Sequence, residues 1–204
     1  MELGFDLKDW EEVEPVEIGE REVLELGGHE VKIVDARLYT SEISGNTSVK
    51  VCVDIDGKNE EQSGFFKRQY EQAKQSDPKA KWPAGGTRYL SLKKESLQFT
   101  KGVVKALENS NKNFKFDIKK GWEQINGWKC AGVFGLEEYI DSEEKTRAGT
   151  KLVNFRSLDK LSEIKVPKVK LLDGSYVEYE NYKPNSNNST ETKSVEISDN
   201  DLPF

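Results

Sequence analysis

The sequence predicts a mainly β domain with one main helix, followed by an acidic C-terminal segment that does not pack. Three observations lead there. Ser48 to Asp56 alternates strictly, with Val49, Val51, Val53 and Ile55 set between Lys50, Cys52, Asp54 and Asp56, the period of a half-buried strand. A clear helical stripe runs from Leu97 to Leu107. From Tyr182 onward Ser, Asn, Thr and Lys dominate and no hydrophobic period survives, the composition of a disordered tail.

The elements follow in order. Residues 1–15 are acidic around Leu3, Phe5 and Trp10 and read as an arm. Glu17 to Leu26 reads as a first strand, Gly27-Gly28 as a tight turn, and His29 to Tyr39 as a second strand with Val31, Ile33, Ala36 and Leu38. After the alternating third strand, Phe66, Tyr70 and Ala73 are spaced as on a short helix over Gly64 to Gln75. Asp77 to Gly86, with two prolines and two glycines, is a loop long enough to carry function. Thr87 to Leu92 is a fourth strand. Ser96 stands at the cap position of the main helix, whose stripe is Leu97, Val103 or Val104, and Leu107, and Asn109 to Asn113 ends it. Strands at Trp128 to Tyr139 and Lys151 to Ser157 flank a charged hairpin, and Leu158 to Ile164 reads as a short helix. This order fits a five-stranded β-barrel of OB-fold-like type, whose helix follows its third strand. Other small antiparallel barrels with a helix fit it too. The expected organisation is an arm over 1–15, a domain over 16–173 and a tail over 174–204.

The 204 residues suffice for one domain with tails, and 35% apolar against 33% charged residues describes a small core in a polar coat. No run approaches the roughly 18 to 20 apolar residues of a membrane span, and the acidic start is the opposite of a signal peptide's. A cytoplasmic protein without a membrane partner is expected. Cys52 and Cys130, the only two cysteines, sit in apolar runs and read as reduced core residues. The net charge of −6 hides an asymmetry. Residues 1–30 carry eleven acids and two bases, residues 174–204 six acids and two bases, and the middle 27 bases against 20 acids. That middle is basic enough for a polyanion, because binding follows the local field rather than the total.

Catalysis is not expected, and neither a cofactor nor a metal. His29, the single histidine, lies beside Gly27-Gly28 without a second ligand at metal spacing and reads as a surface residue. Asp54 and Asp56 share one strand face, where two carboxylates can hold a divalent ion, but the simpler reading is the strand's solvent side. Gly85-Gly86 is too short for a phosphate cradle.

The final residues Asp199, Asn200, Asp201, Leu202, Pro203 and Phe204 offer a partner an apolar anchor, a stiffened backbone and carboxylates for Arg or Lys. This tip resembles the acidic tip of bacterial single-stranded DNA-binding proteins, with Asn200 in place of an aspartate and Leu202 where isoleucine is usual. The whole chain is similar to phage-encoded single-strand binders with an OB-like core and an acidic tail ending in an aromatic residue. The resemblance implies a role in phage or bacterial DNA replication, recombination and repair. Single-stranded DNA would be one partner, and host or phage replication and repair proteins, held by Asp199, Asp201, Leu202, Pro203 and Phe204, the others. A strand-annealing or recombinase-loading protein, and an interaction adaptor that binds no DNA, stay open, as does homo-oligomerisation.

Single-strand binding needs cations along the phosphates and flat rings on which bases stack. Two stretches mix them: Phe65, Lys67, Arg68 and Tyr70, and Lys79, Lys81, Trp82, Arg88 and Tyr89. Phe66 reads as core, and Trp82, beside Pro83 in the loop, as the exposed ring. Lys151 and Arg156 join the set if the last strand closes the barrel.

Overall fold

In the computed structural model, residues 22–57 and 61–183 are described. The arm over 1–15, the first half of the expected first strand and the tip at 199–204 lie outside them. β1 (Gly27–Thr40) and β2 (Thr47–Ile55) form an antiparallel hairpin, and β3 (Thr87–Ser91) pairs with the other edge of β2. Between β2 and β3 the chain makes helix α1 (Phe65–Ser76). Helix α2 (Leu97–Ser110) follows β3, and the long hairpin of β4 (Lys129–Ile140) and β5 (Thr146–Arg156) follows α2. Two short strands, β6 (Val169–Lys170) and β7 (Tyr176–Val177), complete a seven-stranded mixed sheet in the order β3-β2-β1-β4-β6-β7, with β5 on β4.

β4 is the hub of this sheet. It pairs with β5 along nearly its whole length, while its other edge is shared. β1 occupies that edge only as far as Phe134, opposite Gly27, and β6 then takes it up in parallel at Glu137, opposite Lys170. Lys170 also donates from Nζ to the Glu137 carboxylate. Gly27 and Gly28, expected as a turn, are thus the first paired residues of β1. A Cβ on Gly28 would stand 2.9 Å from the Ile164 side chain, so the glycine is there for close packing. Residues 22–26 precede β1 without strand pairing. β7 pairs with β6 at Tyr176 and Val177, and Tyr182 donates its hydroxyl to Glu138, which fastens the segment after β7 onto β4. Burial and the adjacent carboxylate push the Tyr182 hydroxyl up to about 12.

The core lies between the sheet and α2. Val49, Val51, Val53 and Ile55 are fully buried, each contributing about 1.5 to 3 kcal/mol relative to exposure. Thr100, Val103, Ala106 and Leu107 form the buried face of α2, and Thr100 Oγ1 donates to the carbonyl of Ser91 at 2.7 Å. Ser96 makes no side-chain cap bond. At the other end the Asn111 amide bonds the carbonyls of Leu107 and Lys129, so the helix stops against β4. Residues 158–163 form a 3₁₀ turn at the expected short helix, and both cysteines are buried and free. Burial pushes the Cys130 thiol up to about 12, so it stays protonated and inert.

The polar face of β2 departs from the alternation. Cys52 and Asp54 are buried, because α1 and the segment leading into β3 cover that face. Asp54 caps α1 from outside the helix. Its Oδ1 accepts from Phe66 N at 2.9 Å, Lys67 N at 3.3 Å and Ile55 N at 3.0 Å, since Gly64 at the helix start is left-handed and offers no side chain. Burial raises the Asp54 carboxyl above its usual range even against these three donors. Asp56 instead pairs with Lys129 at 3.3 Å. His29 is buried as well, correcting its assignment to the surface. Its Nε2 donates to the carbonyl of Glu25 at 2.8 Å, and its ring meets Phe134 edge-on at 5.6 Å.

Asp54→Ala should destabilise the protein by about 1 to 2 kcal/mol, because two orphan helix amides lose their acceptor. Asp54→Asn keeps an acceptor and removes a buried charge, so it should change stability by less than half as much. Urea melts of the three proteins check both.

Candidate nucleic-acid interface

The loop expected from Asp77 to Gly86 is pinned down at two points. Beyond Cys52, the last residue of β2 paired with β3, the next carbonyl along β2 is that of Val53, and the Trp82 indole Nε1 donates to it at 3.1 Å. Three residues later Gly85 and Gly86 pass so close to their neighbours that a side chain is excluded. A Cβ on Gly86 would lie 2.7 Å from Phe66 and 2.9 Å from the Val53 carbonyl, and one on Gly85 would lie 2.8 Å from the Thr150 carbonyl of β5. Phe66 in turn stacks on Phe134 at 5.8 Å. The glycine pair is therefore a packing device that brings the start of β3 against β5.

This arrangement opens a cleft of about 410 Å³ where β3 approaches β5. Its floor and walls are Lys50 of β2, Gln69 and Ala73 of α1, residues 81–84, Thr87 to Tyr89 of β3, Glu137 of β4, and Lys151 and Leu152 of β5. Tyr70 backs the Trp82 ring at 5.3 Å, with Lys74 Nζ 5.2 Å from the tyrosine centroid. Trp82 is thus half-buried and not the free ring expected of a loop tryptophan. Tyr89 is the open one. It is 48% exposed and pairs with Tyr39 at 5.2 Å, across from Lys50 in the strand register.

Five expected residues meet in this cleft: Lys81, Trp82, Arg88, Tyr89 and Lys151. Arg156 lines a neighbouring cleft. The remaining five lie elsewhere, each for a physical reason. Phe65 is in the core, 5.0 Å edge-on to Phe66. Lys67 pairs with Glu71 one helical turn on, and Arg68 holds both Glu22 oxygens at 2.7 Å, so the cations of α1 are already engaged. Tyr70 serves as the backing of Trp82, and Lys79 sits in a turn whose backbone bonds Asp77, outside the cleft. Lys50, Gln69, Tyr39 and Glu137 were not anticipated. The alternation of β2 puts Lys50 on the polar face and could have found it; nothing local marks Glu137, which arrives through the β4–β5 pairing.

The cleft is electropositive. Among the described residues Lys50, Lys81, Arg88 and Lys151 form no ion pair, and Glu137, the one acid in the lining, is engaged by Lys170. Burial holds the Lys151 ammonium below its usual range, with Glu137 opposing the shift. A desolvated cation is stabilised by an arriving anion. No group of three or more His, Cys, Asp and Glu among the described residues is placed to hold a metal. The arrangement is suited to a flexible anion that carries flat rings. No family model and no curated protein matches the chain.

Tyr89→Ala should leave stability nearly unchanged and weaken oligonucleotide binding by about 1 to 3 kcal/mol. Trp82→Ala, by contrast, should lower stability by about 2 kcal/mol as well as weaken binding, because its indole is both a backbone anchor and a wall of the cleft. Thermal melts and fluorescence anisotropy separate the two. Protonated Lys151 is the form that attracts an anion, and its titration lies below the ordinary lysine value of about 10.4, so the affinity for an anionic ligand should begin to fall at lower pH than exposed lysines dictate. Lys151→Arg should delay that fall in a pH series of binding isotherms.

Proposed function

We propose that the protein binds single-stranded DNA without sequence preference, in a replication or recombination setting, and is not an enzyme. One observation carries this reading. Residues drawn from strands and loops far apart in sequence, Lys50, Lys81, Trp82, Arg88, Tyr89 and Lys151, converge on one cleft that combines rings with cations lacking carboxylate partners. Phosphate attraction supplies affinity and ring stacking tolerates any base, which is the chemistry of non-specific single-strand binding.

The strand order supports an OB-like barrel as the scaffold. β1, β2 and β3 form a meander, α2 follows β3, and the β4–β5 hairpin returns to β1 and brings β5 beside β3. No ladder joins β3 to β5 among the described residues, and the cleft lies over that seam. Residues 199–204 would recruit replication and repair proteins, a part of the proposal that rests on the resemblance of Asp199, Asp201, Leu202, Pro203 and Phe204 alone. The adaptor reading lacks a comparable observation.

Titration with oligo-dT at two salt concentrations tests the reading through tryptophan fluorescence, since Trp82 walls the cleft. Binding should quench the emission and weaken with salt by about 0.7 log units per log unit of salt for each phosphate engaged. Absence of salt-dependent quenching, or an equal preference for duplex DNA, would overturn it.

A further inference from the structure

A second cleft of about 700 Å³ adjoins the first, and the two share Arg88 and Glu137 in their linings. It is built from the outer side of β4 and β5, the 3₁₀ turn after β5, and the β6–β7 extension. Its cations are Arg88, Arg156, Lys160, Lys165, Lys168 and Lys170, against Glu137 and Glu163. Lys168 is paired with Glu178 at 2.6 Å and Lys170 with Glu137. Arg88, Arg156, Lys160 and Lys165 have no ion pair among the described residues. The cleft also has its own ring, Tyr176 of β7, which is 63% exposed.

We propose that this cleft carries the continuation of the same single strand, so that the track runs from the Trp82–Tyr89 cleft across Arg88 into the Arg156–Tyr176 cleft. The inference rests on the reading of the first cleft given above. Continuity argues for one strand over two separate ligands, because Arg88 borders both spaces and a phosphate beside it would face either way. Charge complementarity argues for a polyanion, since the unpaired cations on both sides of Arg88 would repel one another without one. The presence of a ring on each side argues for a nucleic acid over a plain polyanion, because an exposed tyrosine adds nothing to polyphosphate binding and a stacking platform to a base. β6 and β7 then have a functional reason to be on the sheet edge. They add a stacking ring, Tyr176, beyond a minimal five-stranded barrel.

The test is anisotropy with oligo-dT of graded length, about 5 to 30 nucleotides, on the full chain and on two variants, Lys160→Ala/Lys165→Ala and Tyr176→Ala. The full chain should gain affinity in two stages as length increases. The double lysine variant should bind short oligonucleotides as the full chain does, bind long ones on the order of tenfold more weakly at ~0.1 M salt, and show a salt slope lower by about 1.4 for long ones only. Tyr176→Ala should also lose affinity for long oligonucleotides but keep the slope. Unchanged long-oligonucleotide binding in both variants overturns the second cleft while the first stands. Equal losses at all lengths overturn it too, because the substitutions would then act through the fold. If the full chain binds no oligonucleotide, both readings fall together.

Discussion

The hydrogen bond from the Trp82 indole to the Val53 carbonyl, with the two glycines packed on Phe66, is the contact on which the cleft depends. β2 is an inner strand whose carbonyls must all be satisfied, and the ladder with β3 ends one residue too early to do so. Trp82 satisfies the exposed carbonyl, and the connection it anchors leads into β3 beside β5. Phe66 is held under that connection by its stack on Phe134, and α1 is held by Asp54. A structural requirement of β2 thus creates the wall of the proposed binding cleft, and the same tryptophan serves both.

The distribution of charge follows a similar logic. Several cations outside the two clefts meet acids: Lys129 with Glu30 and Asp56, Arg147 with Asp141, Arg68 with Glu22. Asp141 is held below the usual carboxylate range by Arg147 and by the amides of Lys145 and Glu143, which shapes the tip of the β4–β5 hairpin. Along the clefts Lys50, Lys81, Arg88, Lys151, Arg156, Lys160 and Lys165 form no ion pair among the described residues, while Lys168 is paired with Glu178 and the acid between the clefts, Glu137, with Lys170. The chain's net charge of −6 is therefore a poor guide to its surface, because the acids that produce it are concentrated in the terminal stretches.

Much of the architecture was legible in the residues. The alternation of β2 and the helical stripe of α2 appear where periodicity puts them, since each is a local pattern read by its own backbone geometry, and a charged hairpin joins β4 to β5, although β5 begins at Thr146, ahead of the expected Lys151. Where the reading slipped, a distant partner decided. Gly27-Gly28 carries a turn signature, yet β4 pairs with it. His29 and Asp54 carry polar signatures, yet Glu25 and the start of α1 bury them by satisfying their hydrogen bonds. β6 and β7 are two residues long, too short for any period, and exist because β4 has a free edge.

The candidate site divides in the same way. Sequence by itself determined that cations and rings cluster at residues 79–89, that Lys50 lies on the polar face of its strand, and that the basic middle of the chain is flanked by acid. Only the tertiary structure decided which of these meet. It buried Phe65, engaged Lys67 and Arg68 within and beside α1, turned Trp82 from an exposed ring into a wall, and brought Lys151 and Glu137 to β3 from more than forty residues away. The physical reason is that alternation along a strand states which residues share a face, whereas what covers that face or stands opposite it is set by packing between elements, and packing leaves no trace in the local period.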